Sequence, residues 1–150
     1  MSEPSMLSPD EAEIVARVAG RRARMESDLA EWVAIPTCSG HEFGLARLRA
    51  LLRARLEALG AEIAELPGDP KPAWIVQPGQ PADAPPPVAL RAIARGGSGR
   101  PVLVTGHLDT VHDAFGAFDR LTRGSDGRAV GPGAIDMKGG LVILFHAREV

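Results

Sequence analysis

The stretch 102–110 constrains the fold and the chemistry of this 150-residue chain more than any other. Its first three residues, 102–104, are apolar and predict a buried strand. His107 and Asp109 follow directly and lie two residues apart. Because alternate residues of a strand point to the same face, both side chains are expected to project into one cleft at the end of the strand. An imidazole and a carboxylate placed in this way are typical of a hydrolytic metal site.

A second carboxylate, Asp136, lies in the glycine-dense segment 131–140. Glycine permits backbone angles and close approaches that other residues resist, so both oxygens of Asp136 are expected to be available to bridge two cations. A phosphate-binding loop is excluded, because Lys138 is followed by glycine and not by serine or threonine. On these residues alone, an exposed turn at His107 and an ordinary flexible loop at Asp136 stay open as alternatives.

The composition narrows the class of protein. A hydrophobic content of 45% and a charged content of 24% are those of one globular domain with a proper core. The net charge is −2 without a basic stripe, which argues against nucleic acid as a partner. A single cysteine, Cys38, excludes an intrachain disulfide. The sequence shows neither a signal-peptide pattern nor a stretch long enough to span a membrane, so we expect a cytoplasmic protein without a membrane partner.

The local patterns predict a mixed α/β architecture. A capping box at Ser8 predicts one amphipathic helix that continues to about Ala34, and a second capping box at Ser39 predicts a helix that ends before Gly60. Residues 77–87 are rich in proline and predict a surface loop. The remaining predictions are strands at 61–66, 74–76, 88–94 and 102–105, the last two joined as a hairpin, a short hairpin of 121–123 with 128–130, and a final helix over 141–150.

Two motifs in order resemble a known family. Residues 106–111, followed by residues 131–140, resemble the zinc-dependent exopeptidases, which include glutamate carboxypeptidase, acetylornithine deacetylase, succinyl-diaminopimelate desuccinylase and the aminoacylases. Residues 35–42 are also similar to the segment between the first two helices of that family. The likeness extends from about Ser8 onward, and it is greatest to the glutamate carboxypeptidase branch.

The resemblance implies a fold and a metal centre. The fold would be a zinc-exopeptidase-like mixed sheet flanked by helices, with residues 1–150 as the N-terminal part of a catalytic domain. His107 would bind one zinc ion, Asp136 would bridge two, and Asp109 would orient His107. The peptide bond after Asp136 is expected to be cis. The longer parent would hold two zinc ions per subunit, although cobalt or manganese suits the same ligands.

The resemblance also implies an activity for that longer parent. It would cleave an amide bond next to a free carboxylate in a small peptide or an N-acyl amino acid, and a homodimer is compatible with the family. The glutamate base and the other ligands would follow Val150, so the 150 residues alone are expected to be inactive. The alternative is a truncated, catalytically incomplete or purely binding relative. Ordinary polar roles are favoured for His41, His112 and His146.

Overall fold

A computed structural model of the protein describes residues 7–70, 72, 74, 86–96 and 99–150. The predicted strand at 74–76 and the predicted loop at 77–87 lie largely outside these residues. The chain divides into two compact units, one of Met1–Leu48 with Val102–Val150 and the other of Arg49–Pro101. Among the described residues, no helix has the length and apolar character that a membrane span requires.

The described residues form helices and small antiparallel strand pairs, which confirms the predicted mixed α/β class. Strand β1 pairs with β2, and β3 pairs with β4. An irregular turn, Ala134–Lys138, leads into the last helix. The elements in chain order are α1 Pro9–Ala19, α2 Arg22–Val33, α3 Glu42–Ala58, β1 Glu62–Pro67, β2 Val88–Ile93, β3 Thr122–Arg123, β4 Ala129–Val130 and α4 Gly139–Arg148.

The first predicted helix is two helices. The capping box is present as predicted, because Ser8 Oγ accepts from the backbone N–H of Glu11 and the Glu11 side chain accepts from the backbone N–H of Ser8. The helix then ends, and Gly20 and Arg21 separate it from the second helix. Glycine is a poor helix former, and the Arg21 side chain donates to His146 of α4. The apolar periodicity passes through this break and gives no sign of it.

The second predicted helix is α3, which begins at Glu42. Leu48 and Leu52 of its leucine stripe are buried, and Gly60 follows the helix with a φ of 77°, as expected of a C-terminal stop. The predicted capping role of Ser39 is wrong, because α3 begins at Glu42 and not directly after Ser39. The Ser39 hydroxyl instead donates to Asp109.

The unit Arg49–Pro101 contains the β1–β2 pair. β2 runs antiparallel to β1, with Glu62 opposite Ile93 and Pro67 opposite Val88. The predicted hairpin between residues 88–94 and 102–105 is therefore wrong. Spacing along the chain favours neighbouring segments as partners, whereas the longer connection from β1 to β2 gives no local signal.

The apolar run 102–104 is another correction. It was predicted to be a buried strand, but Val102 and Leu103 are 84% and 87% exposed and belong to no strand. An apolar run expresses a preference for burial, yet a strand also needs a neighbour for its backbone N–H and C=O groups. Among the described residues, a backbone partner is first met further along, where Thr110 forms a parallel bridge with Cys38.

The core of the unit formed by Met1–Leu48 and Val102–Val150 joins α2 to α4. Trp32 and Phe145 meet edge to face, with ring centroids 5.5 Å apart. Beside them, the buried His146 accepts from Arg21 Nε at Nδ1, at 3.2 Å, and its Nε2 lies 2.7 Å from Asp28 Oδ2. Because arginine only donates, His146 Nδ1 must be the acceptor and Nε2 must carry the proton. These contacts fix the helix that follows Asp136.

Candidate metal centre

Two segments form the candidate metal centre, and close backbone packing holds them together. A Cβ on Gly106 would lie 2.9 Å from Leu141 Cδ2 and 3.0 Å from Met137 Cε, so a larger residue there would displace the ends of these two side chains. The backbone N–H of His107 donates to Met137 Sδ at 3.2 Å. The peptide bond between Asp136 and Met137 is cis, as the resemblance predicts.

Lys138 anchors the second segment to the backbone of Ile35. Lys138 is almost fully buried, and its Nζ donates to the backbone oxygen of Ile35 at 2.7 Å. Burial lowers the pKa of Lys138 from 10.5 to about 8. The backbone N–H of Lys138 also donates to Gly133 O at 2.8 Å, which closes the turn that carries Asp136.

All three predicted site residues meet around the ring of His107. Its Nε2 lies 2.8 Å from Asp136 Oδ1, although the two residues are 29 positions apart in the sequence. Its Nδ1 lies 3.0 Å from the backbone oxygen of Asp109 and 3.2 Å from Asp109 Oδ1. Asp136 is 84% exposed and His107 46% exposed, so the cluster opens to solvent. Their roles as metal ligands stay a prediction.

The electrostatics of this cluster favour a positive charge at the ring. Both nitrogens of His107 face oxygens that can only accept. The hydrogen bond to Asp136 raises the pKa of His107 above its ordinary value, and Asp109 acts in the same direction while partial burial opposes it. With Nδ1 donating to Asp109, a neutral ring would set a lone pair of Nε2 against a carboxylate oxygen. A proton on Nε2, or a metal ion that both groups coordinate, would remove this repulsion.

His107 and Asp136 are residue types that bind divalent metals, but two ligands are too few to complete a site. An imidazole nitrogen and a carboxylate oxygen are ordinary zinc ligands, and a carboxylate oriented toward the other ring nitrogen is the usual supporting contact. Zinc sites use three or four ligands. Within the described parts of the chain, no group of three or more His, Cys, Asp or Glu side chains is arranged to hold a metal ion. His107 and Asp136 thus form a partial set.

The other histidines and the cysteine lie elsewhere. His41 Nδ1 is 3.0 Å from the Pro36 backbone oxygen, and His112 packs against Phe118 with ring centroids 5.0 Å apart. His146 is buried beside Asp28. These are polar and packing contacts of the kind predicted for all three, and Cys38 is a half-buried free thiol.

Sequence reasoning missed Ser39 as a neighbour of the cluster. Its Oγ donates to Asp109 Oδ2 at 2.7 Å across 70 positions of sequence. The pattern around Ser39 indicated a helix cap, and nothing in the local sequence relates it to Asp109. The only available signal was the likeness of residues 35–42 to a family segment.

Comparison with known proteins supports the fold. No protein-family profile matches the chain, and no curated protein sequence matches it either. Among solved structures it is similar to human carnosine dipeptidase 1, with a TM-score of 0.73 and 24% sequence identity. The match covers 92% of this chain and 30% of the dipeptidase chain. The chain therefore has the fold of one part of that dipeptidase and spans less than a third of its length.

Proposed function

We propose that this chain supplies the first part of the metal centre of a metal-dependent hydrolase. One observation carries the proposal: His107 Nε2 and Asp136 Oδ1, an imidazole nitrogen and a carboxylate oxygen from distant segments, face each other at 2.8 Å. The similarity in fold to a dipeptidase supports a hydrolase in preference to other metal-binding proteins. Residues 1–150 would then be the N-terminal part of a catalytic domain.

Each residue of the cluster has a separate task under this proposal. His107 would hold one ion through Nε2, while Asp109 keeps the proton on Nδ1 and so keeps the Nε2 lone pair available. Asp136 would bind through Oδ1, and its Oδ2, which has no hydrogen-bond partner among the described residues, would be available to a second ion. When bound, zinc supplies Lewis-acid chemistry toward the carbonyl oxygen of an amide.

The resemblance and the neighbour together support a proposal for the substrate class. We propose a small peptide or an N-acyl amino acid, cleaved at the amide bond beside its free carboxylate. A glutamate base and further ligands would have to come from sequence outside these 150 residues, because two ligands cannot complete a zinc site. Cytoplasmic location, a homodimeric parent and zinc in preference to cobalt or manganese stay predictions.

A second candidate is cation binding without turnover. His107 and Asp136 would contact a cation in the same way whether or not hydrolysis follows. Both candidates require the same ion at His107 and Asp136, and they differ only in hydrolysis. One preparation of the protein therefore serves to test both.

Calorimetric titration of the metal-free chain with zinc is the first test. We expect saturable binding, and we expect His107→Ala and Asp136→Ala each to weaken it by at least about 10-fold, since loss of a ligand costs more than loss of a supporting contact. His112→Ala and Asp119→Asn are matched controls, because these groups lie against Phe118 and Arg120. Equal zinc affinity in all five proteins would refute the metal centre.

The second test is hydrolysis of dipeptides and N-acyl amino acids by the zinc-loaded protein. Turnover that is abolished by a chelator and by Asp136→Ala would establish the hydrolase. Zinc binding without turnover in the 150-residue chain, together with turnover by a version extended past Val150, would support the N-terminal part of a catalytic domain. If the 150-residue chain and the extended version both bind zinc and neither hydrolyses these substrates, the second candidate, cation binding without turnover, is supported.

A further inference from the structure

We propose that Ser39 is a positioning residue of the candidate metal centre, acting on His107 through Asp109. The inference rests on the proposed function. Ser39 Oγ donates to Asp109 Oδ2 at 2.7 Å, and the other carboxylate oxygen, Oδ1, lies 3.2 Å from His107 Nδ1. The two oxygens of Asp109 are thus divided between one serine hydroxyl and one imidazole. A continuous chain of contacts runs from Ser39 to Asp109, His107 and Asp136.

The backbone holds Ser39 in register with Asp109. The backbone N–H of Ser39 donates to Thr110 O at 3.1 Å, and the N–H of Thr110 donates to Thr37 O at 2.8 Å. These two bonds form the parallel bridge between the two segments. Ser39 and Asp109 are therefore attached to paired backbones, and the hydroxyl reaches the carboxylate without any movement of the chain.

The turn after Ser39 is also fixed. Gly40 adopts a φ of 92°, which only glycine adopts at little cost, and the N–H of His41 donates to Cys38 O at 2.9 Å. The hydroxyl is consequently directed away from α3, which begins at Glu42, and toward Asp109. A role as a helix cap does not account for this orientation.

The hydroxyl restricts rotation of the Asp109 carboxylate. A carboxylate bonded on one oxygen only can turn about its side-chain bond, whereas a bond on each oxygen fixes its plane. If the Ser39 bond is lost, His107 Nδ1 keeps the Asp109 backbone oxygen as a firm acceptor but loses a fixed Oδ1. The ring is then less restricted to the tautomer that leaves Nε2 open to a cation.

The test compares Ser39→Ala and Ser39→Thr with the wild-type chain. Zinc affinity is measured by calorimetry, and the His107 tautomer is read by NMR from the ring ¹⁵N shifts of the metal-free protein at a pH above the raised pKa of His107, where the ring is neutral. We expect Ser39→Ala to bind zinc about 10-fold more weakly, at the lower end of the range for supporting contacts. We also expect its His107 nitrogens to shift toward a mixture of tautomers. Ser39→Thr keeps the hydroxyl, so its zinc affinity and its His107 ¹⁵N shifts should match those of the wild-type chain.

Ser8→Ala is the matched control, because it also removes a serine hydroxyl that is hydrogen-bonded, there at the start of α1. Wild-type zinc affinity and unchanged His107 shifts in Ser39→Ala would overturn the inference. Failure of the proposed function is distinguishable from this result. If the proposed function fails, the wild-type chain binds no zinc. The ¹⁵N shifts of Ser39→Ala still report whether Ser39 determines the tautomer of His107.

Discussion

His107 Nε2 lies 2.8 Å from Asp136 Oδ1, across 29 positions of sequence, while His107 Nδ1 faces Asp109. A ring held by acceptors at both nitrogens is a site for a cation. Below the raised pKa of His107 a proton occupies this nitrogen in the metal-free protein, and in the proposed hydrolase a metal ion would take its place. A proton and a metal ion therefore compete for the same nitrogen, His107 Nε2.

The first prediction concerns the pH dependence of metal binding. Since Asp136 raises the pKa of His107 above its ordinary 6.5, the proton competes with zinc even near neutral pH. Zinc affinity should fall as the pH is lowered through that raised pKa and should level off above it. Calorimetry between about pH 5 and pH 8 measures the profile. A profile that is flat, or that centres below the ordinary pKa of histidine, would contradict the geometry.

The second prediction concerns Lys138 and stability. Its pKa is about 8 in the folded chain and 10.5 when unfolded, so between these values the unfolded chain holds more protons. The free energy of unfolding should therefore rise with pH from about 8 to 10.5, by about 1–3 kcal/mol. Urea denaturation of the metal-free protein at the two ends of this range measures the change.

Two variants control this measurement. Lys138→Met should abolish the rise, because it removes the titrating amine from its buried position. The chain has no tyrosine, and Cys38→Ala removes its single thiol. A rise that persists in Lys138→Met would assign it to another group.

The sequence predicted what is local in this fold and missed what is not. The capping box at Ser8 and the hairpin of β3 with β4 were confirmed, because neighbouring residues decide each of them. The pairing of β1 with β2 and the exposed run 102–104 were missed, because the partner of a strand is not encoded in its own pattern.

The residues near the candidate site also divide into those that the sequence predicted and one that it missed. The closeness of His107 and Asp109 follows from their spacing. Asp136 was singled out by its glycine-dense segment, and the resemblance of two motifs supplied its role beside His107. Ser39 contacts Asp109 from 70 positions away, in a stretch whose composition indicates a helix cap. Only the three-dimensional structure relates these two residues.

The third prediction concerns the backbone that carries Asp136. Gly133 has a φ of 70°, and a Cβ there would lie 2.6 Å from Thr110 Cγ2. Gly133→Ala should therefore lower the free energy of unfolding by about 2–4 kcal/mol, from the unfavourable backbone angle and the overlap together. It should also weaken zinc binding, because Thr110 adjoins Asp109.

Gly60→Ala separates the two contributions. Gly60 has a φ of 77°, but a Cβ there would meet nothing within 4 Å. Its substitution should cost about 1 kcal/mol and leave zinc affinity unchanged. Equal losses in the two variants, by chemical denaturation, would show that Gly133 is required only for its backbone angle and that the packing of Thr110 is adaptable.

A crystal structure of the zinc-soaked protein, with anomalous diffraction measured at the zinc edge, tests the central claim most directly. We expect an anomalous peak within about 2.0–2.2 Å of both His107 Nε2 and an Asp136 carboxylate oxygen, with Asp109 still facing Nδ1. Zinc bound elsewhere, or no peak between these two side chains at saturating zinc, would contradict it.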